Sequence, residues 1–169
     1  MNSTILSAID DQIQVELSSA YFYLSAVGYF ENANLAGFTK WMRAQAQEEV
    51  SHAMKFFDFV HDRGSRVTLQ AIEQPPSDFS SPLDVFTRAL QHERSVTAKI
   101  NDLYALALKE NDYPAQVLLQ WFISEQVEEE KNASRVLDEL KMAGENSSAL
   151  LLLDNNIAAR RAAEATSES

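Results

Sequence analysis

Along the chain, apolar residues return at alternating steps of three and four within four long segments, roughly 4–31, 35–63, 82–110 and 113–143. That period marks helices that bury one face against each other. At about 1.5 Å per residue each segment is on the order of 40 Å long, which exceeds an ordinary globular helix and suits a four-helix bundle. The short connectors "NANLAG" and "ENDYP" make the first and second helices, and the third and fourth, antiparallel neighbours. Between the pairs lies "GSRVTLQAIEQPPSDFSSP", Gly64 to Pro82, which has no helical period. At up to about 3.3 Å per extended residue it can climb the height of the bundle, so helix three can start at the end opposite to where helix two stops. The predicted fold is all-α: a four-helix bundle with one long crossover between helices two and three. Gly144 closes the fourth helix, and "SSALLLLDNNIAAR" restarts as a short fifth C-terminal helix with Ser147 or Ser148 as its N-cap. Bundle and fifth helix are expected over 1–162, followed by a polar tail over 163–169.

The inward stripes are not apolar throughout. Ile9, Ile13, Glu16, Ala20, Tyr23, Val27 and Phe30 line the first helix, and Phe38, Met42, Gln45, Glu49, His52, Phe56 and Phe59 the second. The third carries Glu93 between Leu90 and Ile100, and the fourth carries Gln126 and Glu129 between Phe122 and Ala133. All these polar positions fall near the midpoints of their helices, so they meet at one level whichever way each helix runs. The separations repeat: Glu16 to Glu49 and Glu93 to Gln126 are both 33 residues, and Glu49-x-x-His52 is answered by Gln126-x-x-Glu129. A pseudo-twofold pair of half-bundles is implied.

Charge sharpens the picture. Acidic residues number 25 against 14 basic, a formal charge of −11 that disfavours nucleic acid and anionic lipid and suits cations. With no cysteine, disulfides, thiolate chemistry and iron–sulfur ligation are excluded, and any metal must sit on oxygen and nitrogen. No apolar run reaches membrane-spanning length and "MNSTILSAIDDQ" has no signal-peptide pattern, so a cytoplasmic location and no membrane partner are expected. Carboxylates buried together as ions would each cost several kcal/mol, and bound cations would relieve that cost. Hard oxygen donors with one imidazole suit iron or manganese, and the i, i+3 spacing lets Glu49 and His52 grip one ion. Glu49 is placed to bridge two.

In order and separation, Glu16, Tyr23, "EEVSH" (Glu48, Glu49, His52), Glu93 and "EQVEEE" (Glu125 to Glu130), with the crossover and short fifth helix, resemble the non-haem bacterial ferritins over nearly the whole chain. The resemblance implies that Glu16, Glu49 and His52 hold one iron, and Glu49, Glu93 and Glu129 a second. Glu48, Glu125 and Glu128, with Glu129, resemble the third iron site of bacterial members. Gln126 stands where bacterioferritins place a second metal-binding glutamate, which implies a looser second site and iron handled as substrate. The implied activity is a ferroxidase: two Fe2+ are oxidised by O2 or peroxide and the ferric product passes to a mineral store. Gln126 would hydrogen-bond oxygen there, and Tyr23 would supply a further electron. A homo-oligomeric hollow shell of about 24 copies is implied, with "ALLLLDNN" packed at a symmetry axis. Haem is not expected, because Val50 occupies the position of the haem-binding methionine of bacterioferritins.

Two other readings stand beside this one. The first is a di-iron carboxylate oxidase or peroxidase that retains its metal pair as a cofactor. The second is a metal-free bundle whose polar layer only sets register. Tyr104 and Trp121 are read as packing residues, and His61 and His92 as surface residues off the inward stripes.

Overall fold

Asn2, Ser81, Asp112 and Asn146 each accept a backbone N–H two or three residues on, from Thr4, Asp84, Ala115 and Ala149 respectively, and so begin four of five helices. The computed structural model describes the backbone of residues 1–167 and the side chains of 1–160 apart from Ala158. Its helices are α1 (Ser3–Asn32), α2 (Ala36–Asp62), α3 (Pro82–Lys109), α4 (Tyr113–Ala143) and α5 (Ser147–Ser167). The four predicted segments correspond to α1–α4 within a residue or so. The cap of α5 is Asn146 rather than Ser147 or Ser148, because its side chain already satisfies the Ala149 N–H. The helix also continues to Ser167 through most of the stretch read as a polar tail; the side chains of that stretch, and residues 168–169, lie outside the described residues.

Sharp chain reversals end the first three helices. Asn34, Gly64 and Asn111 sit at φ near +57°, +67° and +55°, and the next residue's N–H reaches back to Phe30, Val60 and Ala107 carbonyls. Asparagine tolerates the left-handed conformation, so it serves here as glycine does at Gly64. The turns at Asn34 and Asn111 make α1/α2 and α3/α4 antiparallel pairs.

The crossover climbs beside α1. Thr68 N–H donates to Asp10, Gln14 donates to the Ala71 carbonyl, Ser25 donates to the Pro76 carbonyl, and Phe79 packs edge-on against Tyr29 and Phe22. These contacts follow α1 from its first turns to its last, so the chain re-enters at the far end and α3 runs antiparallel to α1. Asn2 of the first turn accordingly meets Glu110 past the end of α3.

The core is divided in two. One apolar cluster gathers Phe30, Phe38, Met42, Phe86, Val136 and Leu140; the other gathers Ile5, Ile9, Phe56, Ile100, Leu119 and Phe122. Phe30 stacks on Phe38 at 5.0 Å and Phe56 on Phe122 at 4.0 Å, one aromatic pair on each side of the middle. Each such ring contributes about 1.5–3 kcal/mol by burial, which lets the fold tolerate a polar layer between them. At the lower end of α2 the buried stripe finishes on Val60, with Phe59 half-buried beneath Arg63. Helix α5 lies across the start of α2: Asp154 accepts the Phe38 N–H at 2.8 Å, and Ile157 joins the first cluster. Gly37 permits this approach, since a Cβ there would stand 1.6 Å from the Asp154 carbonyl oxygen. Among the described residues no helix is long and apolar enough to cross a membrane.

Candidate metal centre

The layer between the clusters is built from all four long helices: Glu16 from α1, Gln45, Glu49 and His52 from α2, Glu93 from α3, and Gln126 and Glu129 from α4. None is more than 3% exposed. The helix midpoints coincide because the pairs are antiparallel and of similar length, so mid-sequence polar residues reach one level. No lysine or arginine is buried among the described residues, so protein cations do not balance these four carboxylates.

Two groups of potential ligand atoms result. Glu16, Glu49 and His52 bring one ligand atom each within 4.8 Å of one another, and so do Glu48, His52, Glu125 and Glu129. His52 faces both, with its Nδ1 3.5 Å from Glu49 Oε2. Exposed Glu128 joins neither group. Glu93 stands close enough to press electrostatically on both Glu49 and Glu16, although it belongs to neither three-atom cluster.

Side-chain amides hold these acids in place. Gln12 donates to Glu16 Oε1 at 2.8 Å, Gln45 donates to Glu129 Oε2 at 2.7 Å, and Gln126 donates to Glu93 Oε2 at 3.2 Å. The Tyr23 hydroxyl donates to the other oxygen of Glu93. Thr97 donates to Glu130 at 2.7 Å, leaving its oxygen to receive Gln126 Nε2 at 3.3 Å, which fixes which way the Gln126 amide faces. One atom receives no amide, hydroxyl or backbone donor: Glu16 Oε2 is buried without such a partner.

Electrostatics follow from burial. Desolvation, partly offset by Gln12, pushes the Glu16 carboxyl from 4.5 up to about 7. Burial and the surrounding charges of Glu93, Glu16 and Glu129 hold Glu49 well above the carboxylate range. Glu93 is raised by burial and eased back by Tyr23 and Gln126. Glu16 and Glu49, which hydrogen-bond each other, therefore favour holding a proton between them when no cation is present. His52 is pushed down to about 4 by burial, with Lys55 adding to the effect, so it is neutral with a lone pair to offer. Burial raises the Tyr23 phenol far above its ordinary range, and it keeps its proton.

One residue differs in setting from the sequence reading, and two others gain a role beside the layer. His92 is not a surface residue: it bonds Ser19 Oγ at 2.7 Å and stacks on Phe22 at 5.3 Å, because α1 covers that side of α3. Trp121 packs edge-on against His52 at 5.5 Å, with Lys55 Nζ 3.7 Å above its ring. Gln12 is a site residue that the inward stripes do not include, although its position four residues before Glu16 is a usable signal; Gln45 stands in the same relation to Glu49.

This arrangement has counterparts. The ferritin-like domain family matches residues 6–143. A bacterial non-heme ferritin from Bacteroides fragilis is 34% identical over 160 residues, covering 95% of this chain and 99% of its own length. A probable bacterial non-heme ferritin-like protein from Haemophilus influenzae is 32% identical over 157 residues, covering 93% and 95%. The crystal structure of an open pore ferritin from Archaeoglobus fulgidus superposes with a TM-score of 0.92 at 45% identity, over 94% of this chain and 98% of that one. Both the half-bundle geometry around the polar layer and the sequence match across nearly its full length place this chain in the ferritin-like family, among the non-haem bacterial ferritins.

Proposed function

We propose that this ferritin stores iron in an oligomeric cage and that its central polar layer is a ferroxidase centre, with Fe2+ as substrate and O2 or peroxide as oxidant. The observation that carries the reading is Glu16 Oε2, a buried carboxylate oxygen without an amide, hydroxyl or backbone donor in a layer of four acids and no buried protein cation. A cation supplies what both lack. Neutral His52 and the hard oxygens of Glu16 and Glu49 fit Fe2+, and prefer the harder Fe3+ once formed.

Each side chain then has a task. Glu16, Glu49 and His52 take the first ion, and the proton shared by Glu16 and Glu49 leaves as it binds. Glu49 reaches toward a second ion with Glu93 and Glu129. Gln126 and Tyr23 keep Glu93 aimed inward through hydrogen bonds to its two oxygens. Since Gln126 is neutral and no histidine follows it in the place His52 has after Glu49, the second ion is held less firmly and its product is released. Overall, two Fe2+ give one electron each to O2, which with two protons becomes hydrogen peroxide. Glu48, Glu125 and Glu129 with His52 form a neighbouring group suited to a third ion on the way out. Tyr23, touching Glu93, is the candidate source of an additional electron when peroxide is the oxidant: one electron from a further Fe2+, one electron and one proton from the phenol, and one further proton turn hydrogen peroxide into two waters.

Assembly is part of the proposal. Leu151 and Leu152 on α5 and Met142 at the end of α4 are 55%, 63% and 80% exposed, an apolar face that a single chain leaves open and that a cage of about 24 copies would cover. A cytoplasmic location accords with this role.

The test loads metal-free protein with Fe2+ under argon and mixes it with O2 in a stopped-flow instrument, comparing wild type with Glu49→Ala at more Fe2+ than the centre can hold. Oxidation continuing into a soluble mineral, and lost in the variant, supports the reading. A single stoichiometric burst instead indicates a retained di-iron cofactor, and no rapid oxidation overturns both.

A further inference from the structure

Glu129 has two claims on it. The second ion needs it beside Glu49 and Glu93, yet in the structure its ligand oxygen is grouped with Glu48, His52 and Glu125. A carboxylate common to two neighbouring ion groups must have its direction set by something. Gln45 is placed to do so. Its side chain is wholly buried, and its amide nitrogen lies 2.7 Å from Glu129 Oε2 and 3.4 Å from Glu49 Oε1, so the short bond is to Glu129 and the long one to the bridging acid. An amide donates without carrying charge. It can therefore orient Glu129 without competing with a metal ion for the carboxylate's charge, as a lysine or arginine would.

The comparison within the layer shows what is particular to Gln45. Gln12 and Gln126 each hold an acid that belongs to the central pair alone. Gln45 holds the one acid shared with the outlying group, and it does so between the two half-bundles, from α2 to α4, whereas Gln12 acts along α1 and Gln126 within the α3/α4 pair. It lies one turn before both Glu48 and Glu49, which belong to the two different groups.

We infer that Gln45 is a positioning residue that retains Glu129 in the group of Glu48, His52 and Glu125, and so sets how firmly an ion is held there relative to the central pair. The inference rests on the proposed metal centre and concerns the division of ions within it. When Gln45 lets go, Glu129 turns toward Glu49 and Glu93; when it holds, an ion passing from the central pair finds a complete outlying group.

Co2+ alone, titrated into the assembled metal-free protein and followed by visible absorption and calorimetry, tests this. The binding step that Glu125→Gln removes from wild type is assigned to the outlying group. Gln45→Met keeps the length of the side chain and removes its donors. The expected result is that the outlying step weakens by about ten-fold or more, the usual size for loss of a ligand's hydrogen-bond partner, while the central steps keep or gain affinity. Equal weakening of every step means general loosening and overturns the inference, as does an unchanged profile. Gln45→Asn keeps an amide in the layer but stops one methylene short of Glu129, and it gives the same comparison should the methionine variant not assemble. A wild type that binds no Co2+ in either group would defeat the proposed metal centre itself, a failure distinct from an unaltered ratio in the variants.

Discussion

Replacing Glu16 by glutamine should make the metal-free protein more stable while destroying the proposed first ion site. The carboxyl lifted from 4.5 to about 7 represents about 3 kcal/mol at about 1.4 kcal/mol per pH unit. Its folded value lies above its unfolded one, so its contribution is fully present below about pH 4.5 and is lost as pH rises through about 7. At about pH 5 wild type and Glu16→Gln should therefore differ little. By about pH 8 the variant should be ahead by up to about 3 kcal/mol, or about 6–12 °C in Tm for a chain of this size. Glutamine still accepts the Gln12 bond that Glu16 accepts at Oε1. Its amide also offers Glu49 a donor where the acid shared a proton. The assay is thermal unfolding of chelator-treated cages by circular dichroism across that pH range, at fixed protein concentration, with Zn2+ calorimetry on the same samples. A variant equal to or weaker than wild type at the high end, or a gap that ignores pH, would refute the claim that this carboxylate is kept at the expense of stability for a cation.

Zn2+ uptake by wild type should release protons below about pH 7 and gain apparent affinity as pH rises through that range; calorimetry in buffers of different ionisation enthalpy reads this, and because His52 lies at about 4 it adds no proton of its own there. Glu125→Gln should remove an ion that Glu128→Gln retains, since only the former residue shares the group with Glu48, His52 and Glu129; equal losses in a binding titration would contradict the grouping. Gly37→Ala would press a Cβ into the Asp154 carbonyl, forcing α5 to shift. A cost at the upper end of about 1–3 kcal/mol is expected, measured as a lower Tm with new protease cleavage in α5. Tyr23→Phe should abolish any tyrosyl radical signal after O2 mixing while Fe2+ oxidation still begins. An unchanged radical signal and unchanged kinetics would remove Tyr23 as an electron donor.

Period and spacing carried most of the buried polar layer. Glu16, Glu49, His52, Glu93, Gln126 and Glu129 were legible because each interrupts an apolar stripe at mid-helix, a local signal requiring only helical geometry. His92 escapes this signal for a related reason: it lies off the stripe of its own helix, and a stripe does not report how far a neighbouring helix reaches around it. The place of Glu128 was equally unreadable. Consecutive glutamates in "EQVEEE" differ by about 100° around a helix, and which of them meets α2 depends on how α4 is rotated against it. The N-cap of α5 was missed by one residue, since asparagine and serine are near-equal caps in a chain read without coordinates.

The sequence by itself determined the helices, their lengths, the long crossover and the level at which the acids gather, because these follow from periodicity, turn residues and chain reach. Tertiary structure decided how the acids are shared. Gln45 donates to Glu129 across the bundle, His52 faces both groups, and Glu16 Oε2 is left without an amide, hydroxyl or backbone donor. Those outcomes depend on the rotation of each helix about its own axis and on fractions of an ångström in helix separation, which emerge only when all four packed faces are satisfied together.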